Sequence, residues 1–400
     1  MTTPPATPTW RIVEPPMPAS LEDPDAWAYH GVAALERTAA LADLGHDDFA
    51  PRAVDLLVAA RHQEHLRRYR LVAVEERADG APADGATADG ATAEGVPDGA
   101  PRVVGYGSLS LPVTDNRHLA VVRVVVLPSH RRRGIGAALA DRLRRVALTE
   151  GRSTLFAEVE FAVEPAEDAL DALTPREGDG RVSADLPGMR FARRAGLGLE
   201  IVARRSVLDL PLPGDVVERF AAEAAARAGA DYRVHTWQDP VPEAWAAQLA
   251  ALEQRLSEDE PNGGLVLEAE RWDAARIRVE EAKRSESGQG ALFTVAEHVP
   301  TGTLAGMTML VYSHDRPEIT EQDSTVVLPE HRGHRLGMLL KAVNLREHAR
   351  VRPATRRIST WNNETNAPML AINDALGFRP AGGSAELQAP LADVVPLTER

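Results

Sequence analysis

One short string occurs twice in this chain. Leu127-Pro128-Ser129-His130-Arg131-Arg132-Arg133-Gly134-Ile135-Gly136 is matched by Leu328-Pro329-Glu330-His331-Arg332-Gly333-His334-Arg335-Leu336-Gly337, 201 residues further on. Each copy follows a valine-rich run and opens a helical pattern. In the first, Ile135, Leu139, Leu143 and Val146 recur at helical spacing. In the second, Leu336, Leu340, Val343 and Glu347 trace the same line, with Leu339 beside it. A strand follows each, at 153–161 and 356–362, and then a helix that stops at Gly196 or Gly377, where glycine suits a C-cap. A repeat of half a 400-residue chain means two similar domains, not a solenoid of short units.

The remaining elements fit that division. In the first half, a strand over 9–13, helices near 26–42 and 51–67 and three strands precede the repeated string. In the second half, a strand at 231–234, helices over 243–256 and 268–282, and strands over 291–296, 303–311 and 319–328 do the same. The order β-α-α-β-β-β-α-β-α-β implies an α/β fold, a mixed sheet with helices on both faces. Pro211-Leu212-Pro213-Gly214 breaks the strand at 206–210. The expected domains are therefore 1–212 and 231–400, joined by an alanine-rich connector, 213–230. Residues 78–101 repeat Ala-Asp-Gly and Ala-Thr-Ala units. So little apolar surface cannot offset the chain entropy of ordering, and the segment reads as a flexible insertion between two strands.

The repeated string has a specific chemistry. A helix N-terminus leaves amide donors unpaired and carries a positive dipole end, both of which favour a phosphate. Arg131-x-x-Gly134-x-Gly136 supplies charge and close backbone approach. It is neither a P-loop nor a dinucleotide fingerprint, since both glycine-spaced patterns are missing.

On these residues the chain resembles the GNAT superfamily of N-acetyltransferases, in the two-domain actinobacterial arrangement. The resemblance covers nearly the whole chain outside 78–101 and the connector. It implies two GNAT-like domains, each a mixed, mostly antiparallel twisted sheet with helices on both faces. It also implies that acetyl-CoA is the co-substrate, its pyrophosphate held by Arg131, Arg132, Arg133, Gly134, Ile135, Gly136 and Ala137, or by Arg332, Gly333, His334, Arg335, Leu336, Gly337 and Met338. The pantetheine amides would pair with the splayed strand, Val124-Val125-Val126 or Thr325-Val326-Val327. The second copy departs from the family by carrying Arg335 where the first glycine is expected.

Transfer to an amine needs a proton acceptor, because an ammonium is not a nucleophile. The family often places a glutamate eleven residues before the turn arginine. That position is Glu321 in the second copy, with Asp323 on the same strand face, but Ala120 in the first. The family's tyrosine, which protonates the departing thiolate, is replaced by Asn373 and by Ala192. Asn366 lies where the family contacts the pantetheine arm, and Asn362 nearby is expected to bind the cofactor with it, although the asparagines of this segment could instead cap the helix, Asn363 or Thr365 above all. Chemistry is therefore expected in the second domain. The first is left as a structural copy, a second acetyl-CoA site or part of the acceptor pocket.

Composition limits the alternatives. Cysteine is absent, which excludes thiolate catalysis and disulfides, and the 12 histidines show no metal-ligand spacing, so no metal is expected. A charge of 45 − 59 = −14 disfavours nucleic acid. No run of 18 apolar residues offers a membrane span, and the N-terminus has no secretory pattern, so a cytoplasmic chain, monomer or homodimer, is expected. The expected reaction is direct transfer of an acetyl or short acyl group to a small-molecule amine or a peptide N-terminus. The rival reading is an acyl-CoA-binding sensor without turnover, and a third is a purely structural repeat.

Overall fold

The computed structural model describes residues 9–76 and 99–398. Apart from residues 99–101, the expected insertion lies outside the described residues. In chain order the elements begin with β1 (Thr9–Val13), α1 (Trp27–Leu44), α2 (Ala53–Arg61), β2 (Leu66–Glu76), β3 (Val103–Pro112), β4 (Leu119–Val126), α3 (Ile135–Thr149) and β5 (Thr154–Phe161). A two-stranded pair, β6 (Ala172–Leu173) and β7 (Val182–Ser183), leads to α4 (Pro187–Ala195) and β8 (Gly198–Asp209). The rest are α5 (Val216–Ala228), β9 (Tyr232–Gln238), α6 (Glu243–Asp259), α7 (Ala274–Glu286), β10 (Gln289–His298), β11 (Thr303–Ser313), β12 (Ile319–Val327), α8 (Leu336–Val351), β13 (Arg357–Asn363), α9 (Ala367–Leu376) and β14 (Arg379–Pro390).

The chain divides into two units that are interleaved in sequence. Unit 1 is Met1–Ala162, Ala184–Leu199 and Glu386–Arg400; unit 2 is Val163–Ser183 and Glu200–Ala385. In unit 1 the strands run β1-β2-β3-β4-β5, and the end of β14 lies beside β5. The Leu391 amide donates to the Ser153 carbonyl at 2.7 Å in that unit. In unit 2 the order is β14-β8-β13-β12-β11-β10-β9.

Alternation along β10 sends its side chains to two opposite faces. Leu292 joins Leu310, Leu336, Leu340 and Ile358 under α5 and α8. Phe293 and Val295 join Leu249, Leu252, Ile277 and Met307 under α6 and α7. Helices thus cover both faces, as the element order implies. Gly196 and Gly377, both at φ 97°, cap α4 and α9 in the left-handed conformation.

Two helices differ from the sequence expectation. Where the pattern suggests 51–67, α2 ends at Arg61, and β2 starts at Leu66. Where it suggests 268–282, α7 starts only at Ala274, because Asp273 caps it by accepting from the Arg276 amide at 2.8 Å.

In each unit one pair of neighbouring strands is parallel and soon parts. β4 pairs with β5 only at Leu119–Thr154, Ala120–Leu155 and Val121–Phe156. β12 pairs with β13 only at Ile319–Arg357, Thr320–Ile358 and Glu321–Ser359. Beyond these residues each central strand keeps its partner on one side and opens a wedge on the other.

Candidate active site

The wedge in unit 2 is a cavity of about 890 Å3. It runs from the start of α8 along Thr325, Val326 and Val327 to Glu321 and Asp323. Thr325–Val327 pair with β11 through Thr308, Met307 and Gly306, so their other edge faces the cavity. The register between β11 and β12 shifts opposite Met309, where two residues of β12, Asp323 and Ser324, face one of β11. Gln322 holds this bulge, donating from Nε2 to the Met309 carbonyl at 2.7 Å and to Thr308 Oγ1 at 3.1 Å. A bulge re-aims the side chains next to it; here these are Glu321 and Asp323. The matching strands of unit 1, β3 and β4, pair in unbroken register.

Both carboxylates line the cavity, Glu321 half-buried and Asp323 exposed to the cleft, and neither has a hydrogen-bond partner among the described residues. Burial, with Asp323 adding like charge, pushes Glu321 up to about 7. Burial also raises Asp323, against the pull of Arg284. A carboxylate poised near neutral pH can accept a proton from an amine.

The two repeated turns share a geometry that sequence comparison obscures. Each has two left-handed positions before its helix. They are Arg132 (φ 67°) and Gly134 (φ 82°) in unit 1, and Gly333 (φ 84°) and Arg335 (φ 59°) in unit 2. Each turn therefore spends its one glycine on a different member of the pair. Arg335 keeps the backbone path of the missing glycine while its side chain reaches Glu223 on α5 at 3.6 Å. The first helical bonds run from Ala138 to Gly134 and from Leu339 to Arg335. The amides of Ile135, Gly136 and Ala137, and of Leu336, Gly337 and Met338, thus have no intrahelical acceptor.

The turn arginines are bound to protein. Arg131 donates from Nε to the Val126 carbonyl at 3.1 Å and grips Asp43 on α1 at 2.7 and 2.6 Å. Arg332 donates to the Val327 carbonyl at 3.1 Å and pairs with Asp259 on α6. They lock the turn to a helix end, leaving the backbone amides as anion donors. Arg133 donates to the Ser129 carbonyl at 2.9 Å. His334 packs on the Tyr232 ring at 5.3 Å.

Asn373, the residue in the family's acid position, is fully buried. It donates to Asn362 Oδ1 and accepts from Lys341 Nζ, both at 2.7 Å. Lys341 lines the cavity, and burial lowers its ammonium to about 7. Sequence reasoning passed over Lys341, which lies on α8 between the buried residues Leu340 and Ala342. The copies differ there, with Ala140 at the same position 201 residues earlier, but that difference does not by itself mark a buried cation. Asn366 caps α9, accepting from the Met369 amide at 3.4 Å, and also lines the cavity. Asn363 accepts from the Thr365 amide at 3.0 Å and donates to the Pro261 carbonyl at 2.9 Å.

Unit 1 has a cavity of about 370 Å3 lined by Val124, Val125, Arg123, Glu158, Glu160, Ala140 and Ala192 among others. Its end is walled by the C-terminal segment. Asp141 accepts from the amides of Leu397 and Thr398, both at 2.8 Å. Because of the bulge, Val121 and not Ala120 stands where unit 2 has Glu321, Asp323 lies in the bulge itself, and Ala140 and Ala192 stand where unit 2 has Lys341 and Asn373.

Comparison with known proteins agrees with this geometry. Residues 58–171 match the model of the acetyltransferase (GNAT) family. Among solved structures, the chain is similar to a tandem GNAT protein from the clavulanic acid biosynthesis pathway, solved without AcCoA. The identity is 27% and the TM-score 0.67, over 96% of this chain and 99% of that one. It also shares its fold with a GCN5-related N-acetyltransferase from Sphaerobacter thermophilus, at 12% identity and TM-score 0.57 over 96% of both chains. Comparison with curated protein sequences returns no match. The family match lies within the first half of the chain, and over nearly its whole length the chain is similar to a tandem GNAT protein, with two folds of that kind.

Proposed function

We propose that unit 2 transfers an acetyl or short acyl group from acetyl-CoA to a primary amine by direct attack. One observation supports this reading above all: a single cavity joins free helical amides, an unpaired strand edge and two carboxylates without partners. The amides of Leu336, Gly337 and Met338 would hold the diphosphate, and the edge of Thr325–Val327 the pantetheine. Glu321, with Asp323 beside it, would take the proton of the attacking amine. The new bond joins nitrogen to the carbonyl carbon, and the carbon–sulfur bond breaks. Lys341, which is oriented by Asn373, would return a proton to the thiolate in place of the family's tyrosine.

Release of free thiol with an amine panel tests this. Glu321→Gln is expected to lower kcat about 100-fold or more while leaving acetyl-CoA affinity near wild type. Unchanged turnover would remove Glu321 from the role. Unit 1 has the turn but none of the four polar residues, which favours binding or support there without chemistry. The calorimetric stoichiometry with acetyl-CoA, one equivalent or two, would show whether the first turn contributes a second site.

A further inference from the structure

Unit 2 contains a second cavity, of about 210 Å3, between α6, α7 and the sheet. Leu249, Trp272, Ile277, Phe293 and Met309 form its apolar wall. Asp323 and Ser324 line both this cavity and the larger one, so the two adjoin beside the proposed proton acceptor, Glu321. At its inner side lies Glu253, buried on α6. Among the described residues its one hydrogen-bond partner is a hydroxyl, Ser324 Oγ at 3.2 Å.

The cations nearby are already committed. Arg284 on α7 pairs with Asp239 through two bonds of 2.9 Å. Lys283 pairs with Glu280 at 2.7 Å, and Arg276 with Glu270 at 2.8 Å. Glu253 and Asp323 therefore line one cavity in which the lining cation, Arg284, is already paired with Asp239. A buried acid without a cation is costly, and in this state burial holds Glu253 up near 8.

Unit 1 shows what completes such a site. Ser324 corresponds in the repeat to Arg123. Arg123 grips Glu36 on α1 through Nε at 3.0 Å and Nη2 at 2.7 Å. Glu36 and Glu253 hold the same station. Each is buried on the helix whose aspartate locks the turn arginine, and each meets the matched strand residue. In unit 1 the chain supplies the guanidinium. In unit 2 serine removes it and leaves a cavity beside the acid.

We propose that this cavity is the distal half of the acceptor site, and that it takes a primary amine bearing a second cationic group, ammonium or guanidinium, on a short apolar chain. The distal cation takes the place of Arg123 against Glu253. The apolar wall holds the methylenes, and the reacting amine lies by Asp323 at the mouth of the larger cavity. The inference rests on the proposed transferase reading.

The test compares agmatine, an amine with a guanidinium tail, with n-hexylamine. Wild type is expected to show kcat/KM about 30-fold or more higher for agmatine. In Glu253→Gln the ratio falls to about threefold or less, with acetyl-CoA affinity reporting that the variant folds. Ser324→Arg, which restores the unit 1 pair, is expected to abolish calorimetric binding of agmatine and keep that of acetyl-CoA. Equal kcat/KM for the two amines overturns the dicationic acceptor while leaving the transferase standing. Thiol release with neither amine, together with agmatine binding that Ser324→Arg removes, overturns the transferase and sustains the cation site. Absence of agmatine binding to wild type overturns the site.

Discussion

Arg335 shows how much a single side chain can tolerate when the backbone needs it to. The left-handed conformation costs an L-residue roughly 1–2 kcal/mol, and the link to Glu223 is exposed and long. Arg335→Gly should therefore raise unfolding stability by about 1 kcal/mol in denaturant titrations. Glu253 is a pH-dependent weakness. Its native pKa lies above the unfolded 4.5, near 8, so the folded state holds this proton more tightly. Its contribution to stability is therefore full below about pH 4.5 and is lost as pH rises towards 8. Glu253→Gln should be more stabilising near pH 8 than near pH 5, by about 2 kcal/mol or more, in melts compared at the two pH values. Some of this was legible in the sequence. The turn could be found from the repeat, and Glu321 was a candidate only through the family resemblance. Lys341 could not, because a lysine on a helix normally reads as solvated surface, and its burial depends on the polar partner that α9 supplies.

At the scale of elements, the bulge opposite Met309 distinguishes the two halves. Hydrophobic alternation places β11 and β12 correctly but says nothing of one extra residue in the ladder, since that is settled by Gln322 across the pair. Gln322→Leu removes the donor from a buried carbonyl. It should cost about 1–3 kcal/mol, and lower turnover more than acetyl-CoA affinity, as Glu321 and Asp323 lose their aim. Thermal unfolding and calorimetry on the one variant measure both. The paired turns yield only part of their logic to sequence comparison. Two arginines and two glycines look like one intact motif and one damaged one, whereas the φ values show the same path taken twice. The ends of α2 and α7 were missed for an ordinary reason: periodicity marks a helix face, but caps and the next strand decide its ends.

For the whole molecule, the repeat correctly gives two similar folds of mixed sheet. It does not show that the units exchange segments, because long-range pairing leaves no local pattern. Residues 386–400 belong to unit 1, and Asp141 holds their last turn through two amides. A chain ending at Ala385 should therefore unfold at a temperature several degrees lower, with the loss confined to probes in unit 1 such as Trp10, and Asp141→Ala should reproduce part of it. Equal melting of the shortened chain would show that β5 needs no neighbour. This arrangement also imposes an order on synthesis. Unit 1 is begun first but is completed only by residues 386–400, which are made after the last segment of unit 2, so synthesis halted at Ala385 leaves the later unit whole and the earlier one without a neighbour for β5.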